Sequence, residues 1–390
     1  MTFLLRCTHC GRVEEESALR FRCECGGALD IEFEPEFHPE RTADQPRDLS
    51  RWREVLPLRQ EPVSLGEGGT PLMPVAMDGR NLLVKQEQLS PTGSYKDRRA
   101  AVLMAHLHEL GVRHVVEDSS GNAGAAIAAY AARAGISCDI YVPEETAPAK
   151  TAQIEAYGAM LHRVPGTRED TAAAVMLAAE TSVYASHVYN PWFLHGTKTF
   201  AYEVAEELGW MSPSVLVLPV GNGTLLLGAA LGFTELVRLG VVSRMPRIIG
   251  VQAAACAPLF GAFQRGAAEP VQVVARPTKA EGIAIAEPAR GAQILAAVRA
   301  SGGSFLSVEE DDIAASLRDC CRMGWFIEPT AAAVVAGARR YAATAPSGEV
   351  IVTAFTGHGL KAPSVVAGMA IHACKGGPVG CHVHCGVLEL

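Results

Sequence analysis

The sequence predicts an α/β protein: two domains built on mainly parallel sheets flanked by helices, preceded by a small Cys-rich ribbon. Three observations carry this. Strand-like and helix-like segments alternate from about Asn81 to Thr353, the rhythm of crossover units whose sheets are buried on both faces. The 390 residues suffice for two or three cores at about 100–200 residues each. Four of the eleven cysteines crowd into Cys7–Cys25, apart from the alternating body.

Taken in order, residues 1–33 read as the ribbon-like module, and Glu34–Arg59, rich in Pro and charge, as a segment wrapping onto the body. The pattern predicts strand Asn81–Gln86, helix Asp97–Leu110, strand His114–Glu117 and helix Ala123–Ala134, so rich in Ala that it must pack closely. Strand Cys138–Val142, helix Pro148–Tyr157, strand Ala159–Arg163 and helix Thr167–Thr181 follow. Then come helix Thr197–Leu208, strand Val215–Pro219, helix Leu225–Leu239 and strand Arg247–Val251. After a loop-rich stretch, helices are expected at Gly291–Ala300, Glu310–Met323 and Thr330–Ala343, and a strand at Val350–Thr353. The larger domain is assigned residues 34–84 and 196–370, the smaller one 85–195, and a Cys/His-rich tail 371–390.

Lys+Arg 34 against Asp+Glu 42 gives net charge −8, and no basic block supplies the cationic footprint that nucleic acid requires. The uncharged stretch Met211–Thr234 is long enough to cross a bilayer, but Pro213, Pro219, Gly221, Asn222 and Gly223 break it into strand, loop and helix. Arg6 and Cys7 interrupt any apolar signal region. A cytoplasmic protein with neither membrane nor nucleic-acid partner is expected. In a reducing compartment, clustered cysteines point to metal or redox chemistry rather than disulfides.

Ligands of open α/β sheets bind beyond the carboxyl ends of strands, and four loops lie there. Ser90-Pro91-Thr92-Gly93-Ser94-Tyr95-Lys96-Asp97-Arg98 puts Lys96 where a turn enters a helix, with Ser94 placed to cap it. An electropositive helix start disfavours a protonated amine and would keep Lys96 reactive; a lysine in such a place is also an ordinary surface residue. Ser119-Ser120-Gly121-Asn122 opens the Ala-rich helix, either to hold a carboxylate or as a plain N-cap. Gly221-Asn222-Gly223-Thr224 follows a strand and opens another helix. It is neither a P-loop nor a dinucleotide fingerprint, and a small phosphate-bearing ligand fits it better. Thr356-Gly357-His358-Gly359 follows the last strand and, taken alone, is a turn.

In this order and spacing the loops resemble those of fold-type-II pyridoxal-phosphate-dependent enzymes, and among them the threonine synthase family. Gly68–Leu72 (GGTPL), SPTGSYKDR, SSGNAGAAIAAYAARAGI, LPVGNGT, PARGAQIL and TGHGLK carry the resemblance. It spans about residues 62–365 and extends to the leading cysteine pairs, which many threonine synthases carry as a small ribbon. It implies pyridoxal 5′-phosphate as cofactor, a small amino-acid substrate and a homodimer. By the resemblance, Lys96 would bind the cofactor covalently and later move the Cα proton. Asn122 would bond the cofactor's 3′-oxygen, and Ser119, Ser120, Gly121 and Asn122 would hold the substrate carboxylate. Gly221, Asn222, Gly223 and Thr224 would cradle the cofactor phosphate. Thr356 would face the pyridine nitrogen, where a hydroxyl cannot keep it protonated, which favours elimination and replacement over transamination. Asp97 and Arg98 are read as structural.

One segment departs from the family. Threonine synthases bind a second phosphate, generally with an Arg in a pattern resembling N-P-x-R-x-x-G-Q-K-T. Here the segment is Asn190-Pro191-Trp192-Phe193-Leu194-His195-Gly196-Thr197-Lys198-Thr199, with Phe193 in place of the Arg and Thr197 in place of the Gln. Phe supplies neither charge nor donors. Either another cation, such as Lys198 or His195, replaces the Arg, or the substrate carries no phosphate; Trp192 and Phe193 then line an apolar pocket or simply pack. Three functions follow: threonine synthesis from O-phosphohomoserine and water; β-elimination or β-replacement on a serine-, phosphoserine- or threonine-like substrate, as in cysteate synthase or the ammonia-lyases; or a non-catalytic binding protein, which the intact Lys96, Asn122 and glycine loop oppose.

Cys7, Cys10, Cys23 and Cys25 could hold zinc through four thiolates, although Cys23-x-Cys25 is tighter than the usual C-x-x-C; a packed remnant of a ribbon is the alternative. In the tail, His372, Cys374, Cys381, His382, His384 and Cys385 form a soft-ligand group suited to a metal, to sulfur handling or to docking. Cys320 and Cys321 are expected in the core.

Overall fold

The structure, a computed structural model, describes residues 2–372; the expected tail cluster Cys374–Cys385 lies outside them. Its largest sheet has six strands in the order Ser304–Val308, Arg247–Ala253, Val215–Pro219, Ile351–Ala354, Arg80–Lys85 and Leu72–Met77. All neighbours are parallel except the hairpin Leu72–Met77/Arg80–Lys85. A second sheet, wholly parallel, runs Met160–Val164, Ser137–Pro143, His114–Glu117, Val183–Tyr184. Every residue of Val215–Pro219 is buried, as a continuous apolar run must be when helices cover both faces.

Helix Asn122–Ala134 buries Ala123–Ala131 and ends at Gly135, whose left-handed backbone (φ 69) closes it. Small side chains let it lie close to helix Lys96–Glu109, whose own Ala100–Ala105 are fully enclosed. On the other side, helix Lys96–Glu109 crosses helix Trp192–Glu207. That helix begins at Trp192, not at Thr197 as the sequence suggested, because Gly196 is no breaker here. It marks the crossing, where a Cβ would run into the backbone of Arg98.

Several short elements escaped the sequence pattern: strands Leu4–Cys7, Val13–Glu15, Leu29–Glu32, Leu72–Met77, Val183–Tyr184 and Ser304–Val308, and helix Pro258–Gln264. Leu72–Met77 contains Pro74 and sits at a sheet edge, where a missing amide is tolerated.

The first three of those strands form the antiparallel ribbon Val13–Glu15, Leu4–Cys7, Leu29–Glu32. It is not free-standing. Phe3, Leu5, Cys7 and Leu29 share one apolar core with Ala100–Ala105, Trp192 and Phe193. Arg290, 3% exposed, locks it to the rest of the chain, donating to Asp30 Oδ1 at 2.7 Å, Leu29 O at 2.7 Å and Tyr189 O at 3.1 Å.

Beneath the lysine helix lies a buried ionic cluster. Arg98 pairs with Glu87 at 2.7 Å and with Glu203 at 2.5 Å, and Lys85 reaches Glu203 at 2.9 Å. Removing one partner of such a group costs about 3–5 kcal/mol, because it strands a buried charge. Cys320 is buried and Cys321 partly so. Among the described residues no helix is long and apolar enough to cross a membrane.

Candidate active site

Three helices present their N-termini to one region: Lys96 opens Lys96–Glu109, Asn122 opens Asn122–Ala134, and Thr224 opens Thr224–Arg238. Each brings unpaired amides and the positive end of a helix dipole. The lysine loop is fixed by backbone pairing with the Thr356 loop, Tyr95 N donating to Thr356 O at 3.1 Å and His358 N to Gly93 O at 2.9 Å. Asp97 secures it from behind, accepting from Thr92 N at 2.6 Å and Thr92 Oγ1 at 2.5 Å. Ser94 does not cap the helix as expected; its hydroxyl is buried without a partner, since pairing across to residue 357 and the Asp97 anchor set the turn instead.

The Lys96 amine lies 3.8 Å from the centroid of the Tyr95 ring. Burial holds its ammonium form below the usual lysine range, and the Arg99 cation adds to this against Tyr95 and Glu328. Tyr95 feels the converse. Burial would raise its phenol, but Lys96 and Arg99 overbalance that and bring it down to about 8.

Asn122 Nδ2 donates to Glu328 Oε2 at 2.8 Å, and Thr356 Oγ1 donates to Glu328 Oε1 at 3.1 Å. One carboxylate therefore joins two residues that the sequence singled out separately. Ser119 and Ser120 are half-buried beside Asn122, and no heavy atom lies within 4 Å of where a Cβ on Gly121 would stand. The loop is held from below by Asp118, which accepts from Tyr184 Oη at 2.6 Å and Arg168 Nη2 at 3.2 Å. In the Gly221–Thr224 loop, Gly223 takes φ 69, and a Cβ there would strike Ile294; only glycine meets both demands.

Arg99, one turn along from Lys96 on the same helix face, donates to Thr224 Oγ1. Its guanidinium is 4.5 Å from the Phe193 ring centroid and 4.9 Å from that of Tyr95. The two cations expected to replace the missing arginine do not reach this region. Lys198 is fully buried in an ion pair with Glu235 at 2.7 Å. His195 is buried between Lys198 and Arg290, which with its desolvation keep it neutral. Trp192 packs, its ring stacked on His106 at 3.5 Å and its indole donating to Pro57 O at 3.0 Å.

At the ribbon's tip the four expected sulfur atoms converge within 4.8 Å of one another. Cys7 Sγ is 3.5 Å from Cys25 Sγ, and Cys10 Sγ is 3.7 Å from Cys23 Sγ. The amides of His9 and Cys10 point at Cys7 Sγ at 3.4 and 3.5 Å.

Residues 63–357 match the family described as "Pyridoxal-phosphate dependent enzyme". The chain belongs to that family. It is 35% identical over 377 residues to "Threonine synthase" of Methanocaldococcus jannaschii, covering 92% of this chain and 93% of that protein. It is 34% identical over 376 residues to "Threonine synthase" of Methanosarcina acetivorans, with 93% of each covered. Among solved structures it is similar to a threonine deaminase from T.th. (TM-score 0.63, 26% identity, 74% of this chain and 92% of that one). Maize serine racemase (TM-score 0.65, 21% identity, 78% and 92%) shares the fold.

As a pyridoxal-phosphate dependent enzyme, the chain is a lyase that eliminates or replaces groups with this cofactor. The site's own chemistry fits the group. It offers a lysine whose ammonium form burial disfavours, three helix N-termini suited to anions, and two buried polar atoms without partners, Ser94 Oγ and Arg99 Nε. Glu328, Tyr95 and Arg99 were not foreseen. The available signals were an acid directly before the Pro-initiated helix Pro329–Thr344 and a cation at i+3 from Lys96.

Proposed function

We propose that the protein converts O-phosphohomoserine and water to threonine and phosphate. The observation that carries this is the junction of Lys96, Asn122, Thr224 and Thr356 through Tyr95 and Glu328, in a chain that matches threonine synthases over nine-tenths of its length. When bound, the cofactor supplies an electron sink that lets a proton leave an amino acid's carbon. The residues do the rest. Burial disfavours the ammonium form of Lys96, so its Nζ would be the group that holds the cofactor covalently and carries a proton to and from the substrate's Cα. Ser119, Ser120, Gly121 and Asn122 hold the substrate carboxylate at a helix start, and Gly221, Asn222, Gly223 and Thr224 hold the cofactor phosphate at another. Asn122 would hold the cofactor's 3′-oxygen, and Thr356, whose hydroxyl donates to Glu328, would be the residue that meets the ring nitrogen.

Supplying cofactor-loaded protein with O-phosphohomoserine tests this: phosphate release with a product of threonine's mass supports it, and no turnover refutes it. Phe193 favours a second reading, elimination or replacement on serine- or threonine-like amino acids, in which that side chain faces no phosphate; turnover of serine but not O-phosphohomoserine selects it. A homodimer follows from the same resemblance, and its mass in solution is the test.

The cysteine cluster is proposed to hold zinc. A tetrahedral site with Zn–S bonds of about 2.3 Å has sulfurs about 3.8 Å apart, close to the spacing of Cys7 to Cys25 and Cys10 to Cys23. One zinc per chain by elemental analysis is expected, and a metal-free purified protein with an intact ribbon refutes it.

A further inference from the structure

Two consecutive arginines in the lysine helix have opposite surroundings. Arg98 is neutralised by Glu87 and Glu203. Arg99, 1% exposed, forms no ion pair among the described residues. One guanidinium nitrogen bonds the Thr224 hydroxyl, while Nε is buried with no partner. A buried cation without a paired anion is costly; the Tyr95 and Glu117 charges offset its burial only in part, and it lies against the start of helix Thr224–Arg238, whose first amides are also unpaired. The rings of Tyr95 and Phe193 contact its guanidinium. Stacking holds a guanidinium by its faces and leaves its in-plane N–H fork free for two oxygens of one anion.

We propose that Arg99 binds a phosphate monoester seated at the N-terminus of helix Thr224–Arg238, closing the cradle of Gly221, Asn222, Gly223 and Thr224 with the charge that the loop itself lacks. Phe193 is then a positioning residue: it has no donors of its own, and it holds the arginine that does. The inference rests on the reading of this loop as a phosphate cradle. The shared chemistry is a phosphate dianion, which either the cofactor or a phosphorylated substrate can bring.

The test uses cofactor-stripped full-length protein, Arg99→Met and Arg99→Lys. Inorganic phosphate should raise the melting temperature of the wild type, as a ligand that binds only the folded state must, and leave that of Arg99→Met unmoved. Titration with pyridoxal 5′-phosphate should show affinity lower by about tenfold or more in Arg99→Met, the loss of a charge-assisted fork. Pyridoxal, which has no phosphate, should bind both alike. Arg99→Lys keeps the charge without the fork and should fall between them, which keeps the test open if Arg99→Met does not fold. If cofactor affinity holds but the KM for O-phosphohomoserine rises as steeply, the clamp is confirmed and its occupant is the substrate's phosphate. Equal losses for pyridoxal and its phosphate, or unchanged binding of both phosphates, overturn the proposal. A wild type that binds neither form of the cofactor overturns the cradle reading instead.

Discussion

Asp97 follows Lys96 and is enclosed by protein. Burial pushes its carboxyl up to about 7, against the two hydrogen bonds from Thr92 and the nearby Lys361 cation, with Glu67 adding to the rise. The folded state therefore binds a proton that the unfolded state, titrating near 3.8, has already released, so this residue makes stability fall as pH rises between those values. In a two-state linkage the penalty is about 2 kcal/mol at pH 5 and about 4 kcal/mol at pH 8, most of the growth falling below pH 7. Asp97→Asn removes the titration and keeps the loop: its Oδ1 accepts from Thr92 N, and its amide donates to the Thr92 hydroxyl. The variant of the cofactor-stripped protein should thus gain on the wild type from pH 5 to about pH 7 and level off above it, measured as the difference in unfolding free energy in urea at each pH. A difference that stays flat with pH would show that Asp97 is ionised throughout, and the reasoning would fail.

Lys96→Ala should abolish the visible absorbance band of the cofactor-loaded protein and its turnover; a persisting band would mean that another amine binds the cofactor. Glu328→Gln removes a charge that raises Lys96, so the pH at which stripped protein begins to take up cofactor rapidly should move downward, and stopped-flow absorbance reads it. Thr224→Val should weaken retention of cofactor on dialysis, since it removes a hydroxyl from the phosphate loop. Cys7→Ser should lower bound zinc and loosen the ribbon, seen as faster amide exchange over residues 4–32, while Arg290 still ties Asp30 to the body.

The four loops were legible because each signal is local: a strand, then Gly, Ser, Thr or Asn, then a helix, with Gly223 doing what no side chain could. Arg99 and Glu328 were not, since their meaning arises from partners 125 and 206 residues away. Lys198 and His195 looked available for the opposite reason. Sequence places them near Phe193, but helix rotation turns Lys198 to Glu235 and His195 into the core. The ribbon's strands, three or four residues each, are too short for periodicity to show. Their burial depends on surfaces contributed by Trp192 and Ala100–Ala105.

The strand Ile351–Ala354 comes last in sequence among the strands of the described residues, yet it lies between Val215–Pro219 and Arg80–Lys85. Among the described strands the hairpin Leu72–Lys85 is hydrogen-bonded to its sheet only through that strand, whereas the sheet of His114–Tyr184 is complete once residue 184 exists. On a ribosome the smaller sheet can close early, while the hairpin and the lysine loop must wait for almost the whole coding sequence to be read. Contacts of such long range are slow to form and leave unpaired edges exposed meanwhile. A nonsense codon shortly before residue 351 would therefore spare Lys96, Asn122, Glu328 and the Gly221–Thr224 loop and still leave the hairpin without the strand that joins it to the sheet and the Lys96 loop without its Thr356 partner.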